Sequence, residues 1–300
     1  MATLITGGGS QIGIELARLL KESGREVVFA SRSGDRIPEG YASVKFDWYD
    51  PSTFANAFST LDGNGIPPEF DSVYITPPPA ELHPSAIVLP FIDLAIERGV
   101  KKFVNLTATL ADPGRATKWS DIARVSAYLK EKGVEYATLR PTWFSDNIKS
   151  VWIHDILANG SITSCVPTGR IPFVAVSDIA LAGFNAIERQ GSTGDVIVVG
   201  PETLTYTEVA SIVSDTIGRP VTHNVISEAE LAAIYSSFGP QDYAEALAEA
   251  TADSEKGSEE KWVGLTKAEQ EELNVTVFVG KTSVREVAEK NKSVFDVTQE

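Results

Sequence analysis

The sequence predicts an α/β protein: a doubly wound parallel sheet in the first half and a smaller mixed α/β region after it. Three observations carry that expectation. Residues 2–6 (ATLIT) form a short apolar, β-branched run that Gly7, Gly8 and Gly9 break at once. Ile12, Leu16, Leu19 and Leu20 then recur at helical spacing, so a helix opens near Gln11. Strand-like runs alternate with helical patterns up to about residue 150, and shorter, more mixed elements follow. A strand, a glycine turn and a helix N-terminus make a place for a pyrophosphate. Glycines let the backbone approach, the first helical N–H groups have no partner, and the helix dipole favours negative charge. The opening stretch therefore predicts a nicotinamide dinucleotide site at the head of a Rossmann-type domain. The expected organisation is a nucleotide domain over residues 1–150 and a substrate-binding region over residues 151–300. Segments of the latter are expected to pack back on the former, with a cleft between them.

The glycine spacing departs from the dinucleotide fingerprint G-x-G-x-x-G. Glycines fall at 7, 8, 9 and 13, and Ser10 stands where a G-x-x-G-x-x-G variant places its middle glycine. Gly7, Gly9, Ser10, Gln11, Ile12 and Gly13 are the candidates to hold the phosphates.

Composition narrows the function. The chain has 300 residues, 43% of them hydrophobic, enough for one large or two moderate domains. No apolar run reaches the roughly 18 residues of a membrane span. The N-terminus reads as a strand, not as a signal peptide. Cys165 is the only cysteine, which excludes an intrachain disulfide and a cysteine-based zinc site, and His83, His154 and His223 have no metal-ligand spacing. No metal is expected. A net charge of −15 argues against nucleic acid, whose phosphates need a basic face. The negative field favours a cationic substrate, although much of the acid lies at residues 242–272. The expectation is a cytoplasmic enzyme with a small-molecule substrate, no nucleic acid, no membrane, and a homodimer as the assembly to test.

Further elements follow in order. Residues 26–30 read as the second strand, whose end meets the adenine ribose in this kind of domain. An acidic residue there would hold a ribose 2′-hydroxyl; the chain has Ser31-Arg32-Ser33, a guanidinium between two hydroxyls, which suits a 2′-phosphate. NADP(H) is therefore expected over NAD(H). Residues 43–47 read as a third strand, followed by Asp47 and Trp48, candidates to border the adenine. Asp50 and Pro51 start a helix as N-cap and N1. Residues 70–76 read as a fourth strand. Thr76, Pro77, Pro78 and Pro79 form a stiff turn expected near the nicotinamide ribose and the substrate. Helices at 87–98 and 121–132 flank strands at 103–106 and 135–139, and Pro141 ends the latter. Trp143 and Phe144 bring broad apolar faces to the strands' carboxyl ends. Residues 162–166 and 171–174 read as short strands, and Ser177-Asp178 cap a helix reaching Glu188. Thr205 and Glu208 form a capping box for a helix over 206–217. Strands at 195–199 and 221–225 and a helical, acidic C-terminal third complete the expectation. Gly280-Lys281-Thr282 looks like the end of a P-loop, but Val275 stands where its first glycine belongs.

Several segments together resemble the NmrA-like branch of the atypical short-chain dehydrogenases. They are the loop at 7–13, Phe46-Asp47-Trp48, residues 99–104 (GVKKFV), 139–144 (LRPTWF), Ile171-Pro172-Phe173, Asp178-Ile179-Ala180 and Gly200-Pro201-Glu202. The similarity covers nearly the whole chain and is weakest over the last thirty or so residues. Within that branch the chain is most similar to the fungal festuclavine/agroclavine dehydrogenase family, through FDW, LRPTWF, IPF and residues 200–223. This resemblance implies NADPH-dependent reduction of an imine or iminium in alkaloid formation. Ser10 departs from the glycine usual in that family's loop, and residues 77–79 and 109–118 look particular to this chain.

Short-chain dehydrogenases place a catalytic Ser or Thr at the end of the strand that here precedes Thr107-Ala108-Thr109. Thr107 and Thr109 are thus the catalytic candidates, and no other catalytic residue is assigned. Tyr128 and Lys132 have the spacing of the family's Tyr/Lys pair but lie at the wrong end of their helix. Ketone reduction creates an alkoxide that needs a proton donor, whereas an iminium carbon becomes a neutral amine on hydride addition. A missing pair agrees with imine chemistry, and aromatic faces can hold the cation. The expected cofactor contacts are the loop residues above with Ser31, Arg32, Ser33, Asp47, Trp48, Thr76, Pro77, Pro78, Thr107, Ala108 and Pro141. The expected substrate contacts are Pro79, Thr109, Trp143, Phe144, Asn147 and Trp152. Two other readings stand beside the imine reductase: an NADP(H)-binding redox sensor without turnover, and an NADPH quinone or enone reductase.

Overall fold

The computed structural model describes residues 1–59, 69–111 and 117–296. The chain begins β1 (Ala2–Ile5), α1 (Gln11–Glu22), β2 (Glu26–Ser31) and β3 (Ala42–Lys45), then a 3-10 segment Pro51–Phe58. It continues through β4 (Phe70–Ile75), α2 (Ser85–Glu97), β5 (Lys102–Leu106), α3 (Ser120–Glu131) and β6 (Glu135–Pro141). Next come α4 (Ile153–Asn159), β7 (Ser161–Ser164), α5 (Val176–Glu188), β8 (Gly194–Val199), α6 (Tyr206–Ile217) and β9 (Thr222–Val225). The last elements are α7 (Glu228–Tyr235), α8 (Gln241–Asp253), α9 (Lys267–Glu272), β10 (Val275–Val279) and α10 (Val284–Lys290). Among the described residues, eight strands form one sheet in the order β10-β8-β6-β5-β4-β1-β2-β3, and β7 pairs with β9. The pairings from β3 through β6 are parallel. Reading outward from β1, the order turns one way to β2 and β3 and the other way to β4, β5 and β6. This is the Rossmann order, and it puts the switch point between the carboxyl ends of β1 and β4, where such sheets bind ligands.

The chain packs as two compact units. The first comprises Met1–Arg140, Ile179–Val196 and Asn274–Thr276; the second comprises Pro141–Asp178, Ile197–Leu273 and Val277–Glu300. In the first unit, alternation along the strands gives the sheet two buried faces. Leu4, Val28, Val73, Ile75 and Phe103 pack with Phe54, Phe91, Val125 and Leu129 from the 3-10 segment, α2 and α3. The opposite face carries Thr3, whose hydroxyl bonds Ser72 at 2.8 Å, and Tyr74. There α5 approaches closely because it has Gly183, where a Cβ would stand 3.4 Å from Leu139, 3.5 Å from Tyr74 and 3.8 Å from Leu16. The second unit has its own core of Trp152, Ile162, Phe173, Tyr206, Val209 and Val287.

Three local expectations are corrected. Residues 171–174 are not a strand; they make isolated bridges, Ile171 to Leu204 and Phe144 to Val174. Pro172 lacks a ladder donor, and the Phe173 N–H turns back to the Ile171 carbonyl at 3.0 Å. The helix expected to be capped by Ser177-Asp178 starts at Val176, whose N–H goes to the Asp146 carboxylate at 2.8 Å. Asp178 instead accepts from the backbone N–H groups of Lys281 and Thr282 at 3.0 and 2.8 Å. The C-terminal third is not all helical: Val275–Val279 is a strand, entered through Asn274 at φ +53°. Residues 112–116, inside the stretch 109–118 noted above, lie outside the described residues.

Candidate functional site

The site is built on the carboxyl ends of β1, β2, β4 and β5. Thr6 fastens the loop after β1 to the end of β4: its N–H donates to the Tyr74 carbonyl at 3.0 Å, and its hydroxyl accepts from the Thr76 N–H at 2.9 Å. The Gly8 N–H reaches the Ala30 carbonyl of β2 at 3.1 Å, and the Ser10 N–H closes a turn on the Gly7 carbonyl at 3.0 Å. Gly7 and Gly9 have φ of +66° and +83°, in the left-handed region that favours glycine. A Cβ at Gly7 would come within 2.7 Å of the Thr76 Cβ, and one at Gly9 within 2.5 Å of the Arg36 Cβ. Ser10 is comfortable in place of glycine because its φ is −68°; it is the N-cap of α1, and its hydroxyl accepts from the Gly13 N–H at 3.1 Å.

Among the described residues, these bonds leave the amides of Gly7, Gly9, Gln11 and Ile12 without a protein acceptor. Four donors at the head of a 12-residue helix suit an anion. The expected pyrophosphate loop thus has the donors that the group requires.

Three cationic residues follow the glycine loop near the carboxyl ends of β2 and β3. Arg32 and Arg36 are exposed, Arg36 packs on Gly9, and Lys45 Nζ donates to the Arg32 carbonyl at 2.7 Å. Ser31 Oγ accepts from the Gly34 N–H at 3.1 Å, and Ser33 Oγ from the Asp35 N–H at 3.5 Å. The Asp47 carboxylate accepts from the Tyr49 N–H at 3.1 Å.

Trp48 differs from its expected place beside an adenine. It is 7% exposed and lies edge-on to Phe46, Phe54 and Phe91. Its indole N–H donates to the Thr76 carbonyl at 3.0 Å. Core packing and a tether on the β4 turn use the whole side chain. In that turn Pro77 is half-buried, Pro78 buried and Pro79 exposed, and Thr76 Oγ1 is buried without a partner among the described residues.

Two polar features near the end of β5 were missed in the sequence. Asn105 is fully buried, with neither amide atom hydrogen-bonded among the described residues, and in register between Ile75 and Thr138. Its signal was a lone amide in an otherwise apolar strand interior. Arg140, 2% exposed, pairs with Asp195 at 3.1 Å and donates to the Thr109 carbonyl at 3.2 Å. It anchors the turn that carries the catalytic candidates. Thr107, half-exposed, gives its hydroxyl proton to the Leu139 carbonyl at 3.1 Å; Thr109 is buried; and the Ala108 carbonyl accepts from Ala111.

Tyr128 and Lys132 serve structure. Hydrogen bonds from Lys132 and then Tyr128 hold the Asp93 carboxyl below its ordinary value, at 2.6 Å and 2.7 Å. In the second unit, Pro141 is buried and Trp143 and Phe144 are half-buried. The Trp143 indole N–H is buried without a partner among the described residues. Asn147 is half-buried and its carbonyl gathers the N–H groups of Ser150, Val151 and Trp152. Trp152 is 6% exposed, edge-on to Phe173 and Tyr206. No described helix is long and apolar enough to cross a membrane.

Comparison with known proteins agrees with this geometry. An agroclavine dehydrogenase of Claviceps fusiformis is 36% identical over 87% of this chain and 89% of its own length. Festuclavine synthase I of Penicillium roqueforti is 34% identical over 77% of this chain and 79% of its own. A solved NADPH-dependent quinone oxidoreductase of Escherichia coli, complexed with NADPH, superposes with a TM-score of 0.70 at 21% identity, covering 96% of this chain and 99% of that one. The NmrA-like family model matches residues 85–272, well over half of the chain. With that match, and relatives above 30% identity along most of its length, the chain belongs to the NmrA-like family.

Proposed function

We propose that the protein is an NADPH-dependent reductase that transfers hydride to the carbon of a cyclic imine or iminium in an alkaloid-type small molecule. The cofactor part rests on the loop: the amides of Gly7, Gly9, Gln11 and Ile12 would hold the pyrophosphate. Arg32, assisted by Arg36 and Lys45, would hold a 2′-phosphate. When bound, the nicotinamide supplies the hydride. Thr76, Pro77, Pro78 and Ala108 are the proposed contacts on its side of the sheet. Pro79 and Thr109 are the proposed substrate contacts in the first unit; in the second, the reading assigns that role to Trp143, Phe144, Asn147 and Trp152.

One observation carries the choice of electrophile. The hydroxyl proton of Thr107 is committed to the Leu139 carbonyl, and Tyr128 is committed to Asp93. A ketone would need a donor for its developing alkoxide, whereas an iminium, or an imine already protonated from solvent, takes up hydride and becomes a neutral amine without one. The chain's task is then to bind, orient and keep water away. The names of the relatives, clavine dehydrogenases and synthases, support the same substrate class.

The test is NADPH consumption by the purified protein with a panel of 3,4-dihydroisoquinoline, simple ketones, enones and quinones. The expected result is turnover of the cyclic imine alone. Reduction of quinones or enones but no imine would replace the substrate class; tight dinucleotide binding with no turnover on any of them would point to a redox sensor.

A further inference from the structure

The second unit contains a pocket of about 370 Å³ that shares Trp152, and no other lining residue, with the substrate contacts proposed for the reductase. This is within the size range of small-molecule sites. Trp152, Tyr235 and Phe238 provide aromatic walls, Leu231 and Ile234 the aliphatic ones, and Asp155 a carboxylate. The rings of Tyr235 and Phe238 lie 6.3 Å apart and tilted by 53°, forming an open corner. Phe238 is 56% exposed and Ile234 45%, an unusual outlay of apolar surface at one mouth.

The carboxylate decides what would fill it. Asp155 Oδ1 accepts from Asn159 Nδ2 at 2.8 Å and from Ser161 Oγ at 2.9 Å; Oδ2 accepts from Thr163 Oγ1 at 2.6 Å. A carboxylate has about four acceptor positions, so one remains, on Oδ2. Asn159 and Thr163 also line the pocket, so the fixed negative charge belongs to its wall. A negative charge held rigid beside aromatic faces selects a cation attached to an apolar body. The chain's net charge of −15 acts in the same direction.

We propose that this pocket binds a flat aromatic molecule bearing a protonated amine, with the ring against Tyr235 and Phe238 and an N–H on Asp155. The site lies on the second unit and is tested by binding alone, without nucleotide or turnover, so its failure is distinguishable from a failure of the reductase reading, with which it shares only Trp152.

The probes are 2-naphthylmethylammonium, the neutral 2-naphthylmethanol and the anionic 2-naphthoate, titrated into the full-length protein by calorimetry and followed by ligand-observed NMR. The ammonium is expected to bind about tenfold more tightly than the alcohol, and the carboxylate not at all. Asp155→Asn should erase the preference for the cation while leaving the alcohol's affinity unchanged. Ile234→Trp, a change at a half-exposed position, should fill the pocket and abolish both; circular dichroism of each variant checks its fold. Equal binding of ammonium and alcohol, no binding of the ammonium at millimolar concentration, or a preference that survives Asp155→Asn would overturn the proposal. So would a dimer in sedimentation that Ile234→Trp dissociates, because the patch would then be covered by a second copy of the chain.

Discussion

In the proposed function, Arg32 is the residue on which the choice of dinucleotide turns. It is exposed at the end of β2, where an acidic side chain would exclude a 2′-phosphate. Replacing it by Ala should reduce the preference for NADPH over NADH by about 1–3 kcal/mol, the scale of a charge-assisted hydrogen bond. Paired affinity titrations read this directly, and an unchanged preference would pass the role to Arg36 or Lys45. Arg32 was legible because it follows a β-branched strand at a known distance from the glycine loop. Arg36 was not, because its place against Gly9 depends on how residues 33–40 fold back, and that loop has no periodicity. Asn105 and Arg140 were partly legible as polar residues in apolar runs, but their burial is a property of the assembled sheet.

Among elements, α6 is the one whose start and stop were read correctly from its letters alone. Thr205 Oγ1 accepts from the Glu208 N–H at 3.1 Å, and the Glu208 carboxylate accepts from the Thr205 N–H at 2.7 Å. Gly218 ends the helix at φ +73°. Thr205→Ala should cost about 1 kcal/mol, seen as a lower urea midpoint with an unchanged slope. Local rules succeed there because both partners lie within one turn. They fail at residues 171–174 and at β10. In the first case the apolar pattern is real, but Pro172 and long-range bridges to Phe144 and Leu204 decide the backbone. In the second, a β-branched VTVFV run follows an acidic helical tract, and its partner in the sheet is β8, far away in sequence. The doubly wound parallel sheet was legible from the alternation of element types; the order of its strands emerges only in the assembled sheet.

The whole molecule should respond to acid mainly through its second unit, which holds all the capping boxes found among the described helices. His223 bonds Ser164 at 2.8 Å and Thr207 at 3.2 Å and stacks on Tyr206. Burial holds it below its ordinary value of 6.5, so the folded state refuses a proton that the unfolded chain accepts. Stability present above pH 6.5 is therefore lost as pH falls toward the lowered folded value, and then levels off. A second loss follows below 4.5. Hydrogen bonds from Thr205, Ser227, Thr266 and Ser283 depress the carboxyls of Glu208, Glu230, Glu269 and Glu286, and their contribution disappears on protonation. Urea titrations across this range should show both steps, and His223→Asn should remove the first while leaving the second.

The first unit is assembled from three separate stretches of chain, the last of them only Asn274–Thr276. The ribosome makes the glycine loop long before it reaches residue 276, yet the unit around that loop includes Asn274–Thr276 and is completed only after they are made. Refolding from denaturant, with every stretch present at once, therefore follows a different timetable from folding during synthesis. Between those two moments the nascent polypeptide carries a nucleotide-binding module still short of its final piece.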